Sequence, residues 1–92
     1  MFPRWRGKLL LPTKTAQNEM LEEDIDLYKA QNILEEGFDC PTGKRAGNVF
    51  ERCIETKGRI LKVVAVDVGE HYLITHVGSF KASKRKIRKL KG

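Results

Sequence analysis

The sequence predicts an α+β domain in which two N-terminal helices cover one face of a mainly antiparallel sheet, in the order β-α-α-β-β-β. Three observations predict it. Residues 15–36 carry helical spacing and capping residues, whereas residues 48–80 alternate and are rich in Val, Ile, Thr and aromatics. Lys57-Gly58 and Gly69-Glu70 break the alternating region into three runs, the pattern of a hairpin meander. A meander buries both faces only with help, so the helices are expected to cover one of them. Residues 1–80 form this single domain, and 81–92 form a basic C-terminal tail.

Lys8-Leu9-Leu10-Leu11 reads as a short strand stopped by Pro12. Thr13 or Thr15 can cap a helix running to about Glu23, and Asp24 can cap a second. In that second helix Ile25, Tyr28, Ile33 and Leu34 fall close to one stripe, and Gly37 supplies a left-handed stop. A loop from Phe38 to Gly47 follows, then strands over 48–56, 59–68 and 71–80. Two-residue turns would place Thr56 opposite Arg59, Arg52 opposite Val63, and Val63 opposite His76. One face then carries Phe50, Arg52, Ile54, Arg59, Leu61, Val63, Tyr72, Ile74 and His76. The other carries Val49, Glu51, Cys53, Ile60, Lys62, Val64, Val66, Leu73 and Val77. Both are half apolar, and the helices are assigned to the second, Val-rich face. A one-residue slip would exchange the faces for a whole strand.

The chain has 92 residues, 40% hydrophobic and 33% charged, too apolar for a disordered chain and enough for one domain. Its longest aliphatic run, Val63 to Val66, is far short of the roughly 20 residues that cross a bilayer. The N-terminus shows no apolar signal region, so a cytoplasmic location without membrane attachment is expected. Cys40 and Cys53 lack a metal-ligand or redox spacing and read as two free structural thiols. No cofactor or metal site is expected.

The net charge of +6 is unevenly distributed. Residues 19–39 hold eight acids against Lys29, whereas 81–92 hold seven bases and no acid. In that tail Lys81, Lys84, Arg85, Lys86 and Arg88 would neutralise phosphates and give a steep salt dependence on RNA, or on DNA. A solvated terminus accounts for the same composition, and a membrane surface is a third reading without aromatic anchors. Arg59 and the loop pair Lys44-Arg45 would extend the nucleic-acid contact. Lys44 is no phosphate-loop lysine, because Gly37 and Gly43 are spaced one residue too far and Arg45 replaces the hydroxyl residue.

Arg52 and His76 form the candidate catalytic pair. In the register above they share a row two strands apart, about 9–10 Å between backbones, within reach of one phosphodiester. A guanidinium would clamp the phosphate oxygens while an imidazole moves a proton. The structural alternative is an Arg52 paired with an acid such as Asp67, and His76 as an ordinary sheet histidine. Trp5 is expected to anchor the N-terminus on the sheet, with base stacking as the alternative.

Lys44-Arg45, Val49 to Ile54, Gly58 to Val64 and Ile74-Thr75-His76-Val77-Gly78 resemble a family of small prokaryotic proteins of unknown function. That family looks related to the RelE- and BrnT-type toxins of toxin–antitoxin pairs. The resemblance, over residues 8–80, implies a microbial-RNase-like fold that cleaves RNA on the uncovered sheet face. Arg45, Arg52 and His76 fall where such a site would lie. Members often carry a His-Ala pair early in the first helix, where this chain has Thr15-Ala16.

The expected function is therefore RNA binding, in its sharper form metal-independent ribonuclease activity by Arg52 and His76. The alternatives are a non-catalytic nucleic-acid or ribosome-associated module, and a protein-interaction domain. In the last, the second apolar sheet face would meet an antitoxin-like protein or a second copy.

Overall fold

The computed structural model describes residues 2–40 and 47–81, and shows an α+β fold with two helices and one six-stranded mixed sheet. The elements are β1 (Arg4–Trp5), β2 (Lys8–Pro12), α1 (Lys14–Glu22), α2 (Leu27–Glu36), β3 (Phe38–Asp39), β4 (Val49–Thr56), β5 (Arg59–Asp67) and β6 (His71–Lys81). Across the sheet their order is β1-β2-β6-β5-β4-β3. β1 and β3, each two residues long, are too short to leave an alternating signature and were not expected. β2 pairs parallel with β6, so the sheet is antiparallel everywhere except at this seam.

Local chemistry explains the helix ends. The Thr13 hydroxyl accepts from the Ala16 backbone N–H at 3.0 Å and starts α1. The second cap is Asp26, not Asp24: its carboxylate accepts from the Lys29 N–H at 2.7 Å. Asp24 instead turns the chain between the helices at φ 55°, a left-handed conformation that Asp tolerates. Gly37 ends α2 in extended backbone at φ −75°, so a left-handed conformation is not what the glycine provides. It is there for space, since a Cβ would stand 2.6 Å from the Cys53 carbonyl oxygen.

The first hairpin follows the expected register, Arg52 opposite Val63 and Thr56 opposite Arg59. Lys57 and Gly58 turn it with φ of 51° and 78°, both positive as the strand twist demands. The second hairpin starts in register, with Asp67 opposite Tyr72 and Ala65 opposite Ile74. It then slips, because an irregularity between Val64 and Ala65 leaves Thr75 without a partner. Val63 therefore faces Val77, and His76 faces Val64.

The helices cover the face opposite to the one expected. Ala16, Met20, Ala30, Ile33 and Leu34 join Leu10, Val63, Ala65, Tyr72, Ile74 and Val77 in one core, with Phe50, Ile54 and Leu61 packed against it. These are the alternate positions that include Arg52. Trp5 is buried in that core, 4.8 Å from the Tyr72 ring and 5.5 Å from Phe50, as the anchoring reading expects. Three rings outweigh the Val-rich face because each buries more apolar area than a valine.

Candidate functional site

Arg52 and His76 are not brought into one row. Partners across a sheet point the same way, so Arg52 shares its row with Val63 and Val77, whereas His76 shares one with Val64 and Glu51. The single unpartnered residue at Thr75 causes this separation.

Both side chains have protein partners. Arg52 donates from Nη1 to the Asp39 carboxylate at 3.0 Å and from Nη2 to the Gly37 carbonyl at 2.5 Å. Its Nε is buried and has no hydrogen-bond partner among the described residues. The acid is Asp39, not Asp67. Asp67 takes Lys8 instead, at 2.9 Å and 3.0 Å, and also accepts from the Gly69 N–H. The Lys8 hydrogen bond, helped by Gly69, holds the Asp67 carboxyl below its ordinary value.

His76 is exposed, and its Nδ1 lies 3.4 Å from Glu19 on α1. Pairing between β2 and β6 ends at Pro12 and Ile74, beyond which α1 runs beside β6. Two carboxylates one helical turn apart serve that side of the strand. Glu19 accepts from the Val77 backbone N–H at 3.0 Å, and Glu23 from the Ser79 hydroxyl at 2.6 Å. Part of the acidity of residues 19–39 is therefore spent inside the fold.

Cys40 and Cys53 form a disulfide, which corrects the expectation of free thiols. β3 makes the difference: Phe38 pairs with Cys53, and the Cys40 N–H reaches the Glu51 carbonyl, so the two thiols meet across neighbouring strands. Their spacing of 13 residues carries no hint of this.

Three bases lie at one end of the sheet. Arg59 stands directly opposite Lys81, and exposed Lys57 sits in the adjoining turn. Arg59 donates to Ser79 Oγ at 2.5 Å and lies 4.0 Å from Glu23. At the far end Arg6 is stacked 4.4 Å over Trp5 and 4.9 Å over Phe50. Lys44, Arg45, Lys84, Arg85, Lys86 and Arg88 lie outside the described residues.

Among the described residues no three His, Cys, Asp or Glu side chains are grouped to hold a metal ion, and no helix is long and apolar enough to cross a membrane. Comparison with protein-family models, curated proteins and solved structures finds no match to this chain.

Proposed function

We propose that this chain is a nucleic-acid-binding module that holds RNA at the basic end of its sheet and along the tail that continues from it. The register carrying this reading is Arg59 opposite Lys81. Like charges directly opposite in an antiparallel pair are unfavourable, and the Glu23 carboxylate, 4.0 Å from Arg59 and already accepting from Ser79, offsets little of that repulsion. A phosphate backbone would satisfy both. Residues 82–92 add six further bases and no acid immediately after Lys81. Such a run neutralises successive phosphates without reading sequence.

RNA, with DNA as the comparison, follows from the resemblance to RelE- and BrnT-type toxins. Ribonuclease chemistry by Arg52 and His76 gains no support from their placement, because the guanidinium is engaged by Asp39 and Gly37 and the imidazole stands in another row. Binding without cleavage is the reading we adopt.

Fluorescence anisotropy of RNA and DNA oligomers against salt, with cleavage followed in EDTA, tests it. The expected result is intact RNA and an affinity that falls linearly on a log–log salt plot, by roughly 0.7 per neutralised phosphate on single strands. Absence of binding at low salt would overturn the reading, and cleavage would restore an enzymatic one.

A further inference from the structure

An open groove of about 400 Å³ lies beside the turn between α1 and α2. Met20 and Ile25 line it with buried apolar surface, and Leu21 lies beside them at 81% exposure. Asp24 and Asp26 supply its carboxylates. Asp26 is committed to the α2 cap, and Glu19 and Glu23 to β6. Glu22 and Asp24 are exposed, and neither has a side-chain partner among the described residues. An apolar surface lined by Asp24, with Glu22 next to Leu21 in the chain, fits a cationic segment with aliphatic anchors.

We propose that this groove is the docking site of the chain's own C-terminal segment, residues 82–92. The segment carries six bases around Ile87 and Leu90, three residues apart, which is the complementary chemistry. It also begins close by. The Ser79 hydroxyl donates to Glu23 at 2.6 Å, which ties the end of α1 to β6 two residues before Lys81. Eleven residues reach up to about 36 Å when extended, and Glu23 immediately precedes Asp24 of the groove. Ile87 and Leu90 meet Met20, Leu21 and Ile25, and the flanking bases meet Glu22 and Asp24. Exposed pairs of this kind are individually weak and screened by salt, so docking is reversible.

Competition follows from the charges. The bases that would sit on Glu22 and Asp24 are those that would neutralise phosphates, so a docked tail lowers the apparent affinity for RNA by the fraction of chains left undocked. This consequence, unlike the docking itself, rests on the nucleic-acid reading.

Zero-length carbodiimide cross-linking of the full chain at low salt, without nucleic acid, tests docking by peptide mapping. Bonds from Lys84, Lys86, Lys89 or Lys91 to Glu22 or Asp24 within one monomer are expected, and the variant carrying Ile87→Ser and Leu90→Ser should lose them. Bonds spread evenly over Glu35, Glu36 and Glu70 would overturn the proposal, as would bonds found only between two chains or unchanged in the variant. The competition is read by RNA affinity at low salt. Glu22→Gln with Asp24→Asn should tighten binding about five-fold if the tail is docked some four-fifths of the time. Glu35→Gln with Glu36→Gln removes the same charge elsewhere and should change it less than about two-fold. Equal effects would overturn the competition. RNA binding by none of these proteins would overturn the nucleic-acid reading and leave the cross-link map to decide docking.

Discussion

Arg52 and Cys53, neighbours on β4, point to opposite faces of the sheet and tie down the same short segment. Arg52 holds Gly37 and Asp39 by hydrogen bonds, while Cys53 is bonded covalently to Cys40. β3 pairs with β4 at only two positions, and these ties secure the outer edge of the sheet around that pairing.

The two partners of Arg52 should differ in weight. Asp39 is 84% exposed, so Asp39→Asn should cost less than about 1 kcal/mol in urea unfolding. Arg52→Ala also strips the Gly37 carbonyl of its donor and removes a half-buried stem, and should cost about 1–3 kcal/mol. RNA affinity should change little in either variant. A loss of binding on Arg52→Ala with stability intact would return Arg52 to the functional site.

The disulfide closes a loop of 13 residues, for which chain entropy gives about 3 kcal/mol. Cys40→Ser with Cys53→Ala should lower stability by about 2–3 kcal/mol. In the parent protein, a thiol probe in denaturant should find no reactive cysteine until reductant is added. Two reactive thiols before reduction would refute the pairing.

Gly37→Ala should destabilise the protein by about 1–3 kcal/mol, because its Cβ would run into the Ile33 and Cys53 carbonyls. Measured by thermal melting, this exceeds what its extended backbone alone would predict. A neutral result would show that α2 and β4 can move apart at this point.

Lys8 and Asp67 make stability depend on acid. The Asp67 carboxyl is lowered in the folded state, so its contribution is present above its unfolded value, about 3.9, and is lost as pH falls through the folded one. Lys8→Met should lower stability slightly at neutral pH, flatten its decline below about pH 4 by the same amount, and bring the two proteins together in strong acid. An identical acid profile in the variant would remove this pair from the balance.

Arg59→Gln and Lys81→Gln should each weaken RNA binding and reduce the salt slope by roughly 0.7, the contribution of one phosphate contact on a single strand. Stability should stay level or rise, since each substitution relieves the repulsion across the strand pair. Unchanged slopes in both would move the binding surface away from this end of the sheet.

Much of the architecture was legible because its signals are local. Thr13 caps α1 through the neighbouring turn, Lys57-Gly58 sets the first hairpin by its own backbone angles, and alternation marks three long strands. Arg59 opposite Lys81 was one residue beyond the expected strand end, and two-residue turns with unbroken alternation would have paired them one position apart. The Arg52–His76 row failed for the same reason: the unpaired Thr75 shifts every later residue of β6, and nothing in the hydrophobic period marks it.

The sequence by itself determined the two helices and the four longer strands in their order, the first hairpin register and the segregation of charge, since each depends on residues a few positions apart. Only the tertiary structure decided which of two half-apolar faces the helices cover, the parallel seam between β2 and β6, and the partners of Arg52, His76 and Cys53. Those outcomes turn on where Trp5, Leu10 and Phe38 arrive from distant parts of the chain, and two nearly equal faces differ only by the packing that such arrivals allow.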